Sequence, residues 1–66
     1  MKLAKVRYTD DGIWFVTEQY SMINQPPVGT LVQYDEYAGV FQVYFPGVQG
    51  YAPMSRWVFD RYFEPL

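Results

Sequence analysis

Fourteen of the 66 residues are aromatic, and this excess is the feature that most limits how the chain can fold. Each aromatic side chain carries roughly 150–250 Å² of surface, and a domain of this length buries only about 60% of what its unfolded chain exposes. A core one side-chain layer thick cannot enclose every ring. Because tyrosine and tryptophan have a polar end, we expect several at the surface, as binding anchors or as the hydroxyl-bearing rim of a small barrel.

The residue types that are missing exclude several functions. The chain contains no cysteine and no histidine, so it lacks disulfides, thiolate metal ligands, and the commonest general base and zinc ligand. Ser21 and Ser55 have no histidine to activate them and no Gly-x-Ser-x-Gly elbow. The acidic pairs at 10–11 and 35–36 lie at turn tips, where carboxylates are normally solvated turn formers. We therefore expect no catalysis, no cofactor and no metal.

The charge pattern is weakly acidic, with a formal net charge of −2 and only five basic residues. Nucleic-acid binding generally needs a dense basic face, so we do not expect a nucleic-acid partner; the alternative we keep is a stacking face of Lys5, Arg7, Trp14 and Tyr20. The longest clearly apolar stretch, residues 13–16, is far below the ~20 residues that span a bilayer. No signal-peptide core follows the N-terminus, and the expected location is the cytosol.

Period-two alternation predicts strands in the first third of the chain. Residues 4–8 alternate apolar and basic side chains, and residues 13–20 are rich in β-branched and aromatic types. A turn over residues 9–12, with Gly12 at its end, would join them into a hairpin. Residues 21–27 are interpreted as a break, since Pro26 and Pro27 remove consecutive backbone donors.

A second hairpin and a short helix are predicted in the rest of the chain. Residues 28–35 and 40–45 alternate, with Phe41, Val43 and Phe45 on one face and a turn over residues 35–39. In the tail, Ser55 is a candidate N-cap for a helix over residues 56 to about 63, and a fifth strand is the alternative for this segment.

These elements predict one mainly β domain over residues 1–66. Two antiparallel hairpins would form a twisted sheet or an SH3-like small barrel, with a short C-terminal helix. The exposed sheet edges need covering, and homodimerisation through an edge is one way to cover them.

Three groups of residues are candidate partner-binding anchors, because Arg, Trp and Tyr are enriched at binding hot spots. They come from the second predicted strand, the second hairpin and the tail: Trp14 and Tyr20; Tyr34, Tyr37 and Tyr44; Arg56, Trp57, Arg61 and Tyr62. In the tail, the alternative is that Trp57 closes the core and both arginines face water.

Two resemblances bear on function. Tyr34-Asp35-Glu36-Tyr37-Ala38 and Gly50-Tyr51-Ala52-Pro53-Met54-Ser55 resemble the peptide-binding signature of SH3 domains. The distance between the two pieces is too short, and the paired tryptophan is missing. These departures weigh against an SH3 ligand groove, while a barrel of that general shape stays open.

The last twenty or so residues resemble the C-terminus of small accessory proteins of tailed bacteriophages. The matching pieces are Gly47-Val48-Gln49-Gly50, then Pro53, Phe59 and Phe63-Glu64-Pro65-Leu66. The resemblance implies a phage product in the bacterial cytosol and supplies no active-site residues. The function it implies is binding of a host bacterial protein through the aromatic surface, as an inhibitor in host takeover or anti-defence. A nucleic-acid-associated barrel and a virion or assembly component are the alternatives.

Overall fold

The computed structural model describes residues 1–66 and confirms the mainly β fold with one short C-terminal helix. The elements in chain order are β1 Lys2–Val6, β2 Trp14–Val16, β3 Met22–Asn24, β4 Leu31–Tyr37, β5 Val40–Tyr44, β6 Ala52–Met54, α1 Arg56–Tyr62 and β7 Phe63–Pro65.

The strands form a five-stranded antiparallel sheet and a separate two-stranded sheet. The order in the large sheet is β6-β5-β4-β1-β7, and β2 pairs with β3. The N-terminal strand therefore lies between β4 and the C-terminal strand, with Ala4 opposite Val32 on one side and Pro65 on the other. The antiparallel sheet and the terminal helix agree with the mainly β class expected from the sequence.

The predicted pairing of the first hairpin is wrong. The strands at residues 2–6 and 14–16 are present, but β1 pairs with β4 and β7, and β2 pairs with β3. The predicted break over residues 21–27 contains the three-residue strand β3, and only its proline end is outside regular structure. Alternation identifies a strand locally but does not identify the strand it pairs with, and three residues are too few to show a period.

The second hairpin and the helix are confirmed. Tyr37 lies opposite Val40, so β4 extends further than predicted and the turn consists only of Ala38 and Gly39, with φ values of 53° and 80°. Two residues at positive φ make a type I′ turn, which suits the twist of the two strands. Ser55 precedes the helix in an extended conformation, but its side chain makes no capping bond.

Ala38→Asn is expected to raise the free energy of unfolding by roughly 0.5–1 kcal/mol. Alanine is strained at positive φ, whereas asparagine adopts this region more readily and Asn-Gly is a favoured pair in type I′ turns. Urea denaturation followed by circular dichroism measures the change. Ala38→Val is the contrasting variant and should lower stability, since a branched side chain adopts positive φ least readily. An Ala38→Asn protein no more stable than the wild type would contradict this prediction.

The core is built mostly from aromatic rings between the sheets and the helix. Seven of the fourteen aromatic side chains are buried: all five phenylalanines, together with Tyr34 and Tyr62. Phe59 of α1 lies at the centre, with its ring centroid 4.4 Å from that of Phe41 and 5.4 Å from that of Phe63. The exposed aromatic residues are all tyrosine or tryptophan: Tyr8, Trp14, Tyr20, Tyr37 and Trp57.

Candidate functional site

An apolar cleft of about 780 Å³ lies between the β2–β3 hairpin and α1. We call it the aromatic groove. Nine of its thirteen lining residues are hydrophobic. The hairpin, the helix and strand β6 each contribute side chains to the lining. They include Trp14, Phe15, Val16, Glu18, Tyr20, Met54, Trp57, Val58, Arg61 and Tyr62.

The periodicity of each element directs some of its side chains into the core and others to the groove. In β2, Phe15 is buried, so the alternation of a strand leaves Trp14 and Val16 about half exposed on the opposite face. In α1, Phe59 and Tyr62 face the core. Trp57 is four residues before Arg61, so both reach the same side of the helix, and Trp57 stays 71% exposed.

Tyr20 occupies the tip of the β2–β3 hairpin in a conformation that disfavours its own side chain. Its φ is 63°, and its N–H donates to the carbonyl of Thr17 at 2.9 Å, closing a three-residue loop whose positive-φ position usually holds glycine. A left-handed backbone costs a non-glycine residue roughly 1–2 kcal/mol. Tyr20 is 88% exposed, so packing does not offset this cost, and the fold gives no reason for a tyrosine here.

The hairpin is anchored to the five-stranded sheet through Glu18. One carboxylate oxygen of Glu18 accepts the N–H of Tyr51 at 2.8 Å, and the Glu18 N–H donates to the carbonyl of Tyr51 at 3.1 Å. Gly50 has φ of 83°, and a Cβ there would lie 2.5 Å from the Glu18 carboxylate. Glycine at this position therefore permits both the turn and the anchor.

Gly50→Ala is expected to destabilise the protein by roughly 2–3 kcal/mol, combining positive-φ strain of 1–2 kcal/mol with about 1 kcal/mol for the disturbed hydrogen bond. Gly47→Ala is the matched control, because Gly47 also has positive φ but a Cβ there meets nothing within 4 Å. Thermal or urea unfolding of both variants separates strain from contact. Equal losses in the two variants would contradict the prediction, because they would show that the Glu18 carboxylate accommodates the added Cβ without cost.

Asp10 organises a cluster of polar groups beside the groove, close to Arg61 and Tyr62. It accepts the Tyr8 hydroxyl at 2.8 Å on Oδ1, and the Tyr62 hydroxyl and Arg61 guanidinium at 3.2 Å each on Oδ2. The Tyr8 hydrogen bond, followed by the Arg61 bond, holds the pKa of the Asp10 carboxyl below its usual value. Asp10 does begin a turn, since its carbonyl accepts the Ile13 N–H at 3.2 Å. The expectation that its carboxylate is simply solvated is wrong, because the fold brings the distant Arg61 and Tyr62 to it beside the nearby Tyr8.

The acid sensitivity of the fold is expected to decrease in Asp10→Asn. A carboxyl whose pKa is lower in the folded state stabilises the protein fully above its unfolded pKa, and this stability is lost as pH falls through the folded value. The wild-type free energy of unfolding should thus decrease more steeply than that of Asp10→Asn between about pH 5 and pH 2. Urea titrations across this range measure both slopes, with Asp11→Asn as the control. Parallel curves for wild type and Asp10→Asn would refute the prediction.

Five of the nine predicted binding residues line the aromatic groove: Trp14, Tyr20, Trp57, Arg61 and Tyr62. Tyr62 is buried and forms part of the floor. The structure places the other four predicted residues away from the groove.

Those four have their own environments. Tyr34 is in the core. Tyr44 is half-buried with its ring 5.7 Å from that of Tyr51. Arg56 pairs with Glu36 at 3.6 Å, and Tyr37 is exposed at the end of β4.

Most of the lining residues absent from the predicted set belong to β2 and the residues beside it, and three others, Pro53, Met54 and Val58, come from β6 and α1. Val58 lies in the predicted helix but outside the predicted binding surfaces. Met54 belongs to a strand that carries no periodic signal. Lys5 and Arg7 of the stacking alternative do not line the groove.

Comparison with protein-family models, with curated proteins and with solved structures gives no match. The resemblance to phage accessory proteins therefore stays a prediction. Two of the residues that carry it, Phe59 and Phe63, are each 1% exposed and belong to the core. No helix has the length and apolarity to cross a membrane, and no group of three or more acidic, histidine or cysteine side chains could hold a metal ion.

Proposed function

We propose that this protein is a non-catalytic binding protein whose aromatic groove holds an apolar segment of a partner protein. The observation that carries the proposal is Tyr20, an aromatic side chain kept at a strained backbone position and almost fully exposed at the rim of the groove. Strain that packing does not offset is characteristic of functional positions. Trp57, on the helix side of the groove, is also largely exposed, and its ring is not part of the core.

The electrostatics of the groove favour an apolar ligand. The charged side chains in its wall already have partners: Arg61 bonds to Asp10, and Glu18 accepts the Tyr51 N–H. Covering the Arg61 side of the groove would therefore leave no unpaired cation, and an unpaired buried charge is a large penalty. Tryptophan and tyrosine supply large contact areas with few rotatable bonds, and hot spots are enriched in them.

The identity of the partner rests on the C-terminal resemblance to phage accessory proteins. We propose a host bacterial protein as the partner and inhibition as the outcome, since a ligand that covers part of a host protein surface blocks whatever else binds there. The expected location is the host cytosol.

The test is differential capture from a bacterial lysate. Immobilised wild type, Tyr20→Gly and Tyr37→Ala are compared, because Tyr37 is an exposed tyrosine outside the groove. A protein retained by wild type and Tyr37→Ala but not by Tyr20→Gly is then purified and its activity measured with and without the chain. Equal retention of the same protein by wild type and Tyr20→Gly, or no protein retained by wild type, overturns the proposal.

A single-stranded oligonucleotide separates this proposal from the nucleic-acid alternative. No binding at low salt is expected, because the groove has one arginine and that arginine is paired. Binding whose affinity falls steeply with salt would instead support a nucleic-acid-associated barrel.

A further inference from the structure

We propose that two copies of this chain associate through the free edge of β3, in antiparallel orientation, with a two-fold axis at Ile23. The proposal goes beyond the groove function and stands on different observations. Four strands have an edge that no other strand pairs with: β6, β7, β2 and β3. The β2 side of the hairpin packs against β6, and the Glu18–Tyr51 hydrogen bonds lie just beyond β2 on this side. Pro53 and Pro65 interrupt β6 and β7, and proline protects an edge because it has no N–H to donate. β3 has neither proline nor charge.

The positions of the hydrogen-bonded pairs between β2 and β3 show which backbone groups of β3 face its free edge. Thr17 N–H donates to the carbonyl of Ser21 at 2.9 Å, so these residues form a hydrogen-bonded pair. Bonded and non-bonded pairs alternate along an antiparallel ladder. Phe15 and Ile23 are therefore the next bonded pair, and Met22 and Asn24 direct their N–H and C=O groups away from β2.

These outward groups are self-complementary. With the two-fold axis at Ile23, Met22 of one copy lies opposite Asn24 of the other, and each such pair exchanges two N–H···O=C bonds. The symmetry repeats the pair, so four backbone bonds close the interface. The two hairpins become one four-stranded sheet, which is more stable than a two-stranded hairpin on its own.

The side chains and charges fit the same pairing. Met22 is 63% exposed beside Val16 on the outer face of the hairpin. In the pair, Asn24 of the second copy lies opposite Met22 and is followed by Trp14 of that copy, so the row across the interface is apolar except for Asn24. Residues 19–27 contain no charged side chain. The two edges therefore meet without like-charge contacts, although each chain has a net charge of −2.

A pair of charge variants at the two outward positions tests the proposal. In Met22→Lys/Asn24→Lys, the substituted side chains face one another with like charge across both halves of the interface. In Met22→Lys/Asn24→Glu, the same positions face one another with opposite charge. Sedimentation velocity over a concentration series should show a wild-type dimer, a dimer in the opposite-charge variant, and at least tenfold weaker association in the like-charge variant.

Two results of the sedimentation experiment would each overturn the dimer. One is a wild-type monomer at every concentration, and the other is equal association in the two charge variants. Amide hydrogen exchange of the wild type gives an answer that needs no substitution: protection of the Met22 and Asn24 amides should increase with protein concentration. Exchange at these amides that does not depend on concentration would also overturn the dimer.

Discussion

Phe59→Ala is expected to lower the free energy of unfolding by about 3–5 kcal/mol and to move the unfolding transition to a much lower urea concentration. Phe59 is 1% exposed, and its ring lies within 6 Å, centroid to centroid, of Tyr34, Phe41 and Phe63. Truncating a buried phenylalanine costs about 3–5 kcal/mol. A domain of this length has a total stability of roughly 3–10 kcal/mol, so one substitution removes a large part of it. Urea denaturation followed by tryptophan fluorescence measures the loss.

Two variants of the same helix separate cavity formation from other causes. Phe59→Leu retains most of the volume and should lose less than Phe59→Ala. Trp57→Ala removes a larger ring from the exposed face and should change stability by less than about 1 kcal/mol. If Phe59→Ala loses no more stability than Trp57→Ala, Phe59 is not at the centre of the core.

The second large effect is on partner binding. Tyr20→Gly and Trp57→Ala should each weaken binding of the captured partner at least about 30-fold, the change in Kd that corresponds to a hot spot of 2 kcal/mol. Stability should not follow affinity. Tyr20→Gly relieves a strained φ and loses only a solvent-exposed ring, so its free energy of unfolding should be unchanged or higher by up to about 1 kcal/mol.

This opposition between stability and affinity distinguishes a binding residue from a structural one. Isothermal titration calorimetry of the purified partner gives the Kd values, and urea denaturation gives the stabilities. Tyr37→Ala is the matched control, since Tyr37 is similarly exposed but lies outside the groove, and it should leave both quantities unchanged. A Tyr20→Gly protein that is less stable than wild type, with affinity lowered only in proportion, would make Tyr20 a structural residue.

The site could be predicted from the sequence only in part. Trp14 and Val16 share a strand face, and Trp57 and Arg61 share a helix face, so their local spacing indicates two short surfaces that each carry a tryptophan. That these surfaces face each other follows from the packing of the β2–β3 hairpin against the helix, which begins more than thirty residues after the hairpin ends. Tyr34 shows the converse error: its residue type suggested an interface, but its strand turns it into the core.

By itself, the sequence determined the residue periodicities, the excess of aromatic rings, the second hairpin and the terminal helix. Each of these depends on neighbours within a few positions, where alternation, turn residues and helical spacing act directly. Only the tertiary structure decided that β1 pairs with β4 and β7, that residues 22–24 form a strand, and that Asp10 meets Tyr8, Arg61 and Tyr62. Pairing between distant segments is set by how the whole core packs, and a local pattern does not contain that information. The aromatic excess was therefore evident from the chain alone, while its division into a core and a groove was not.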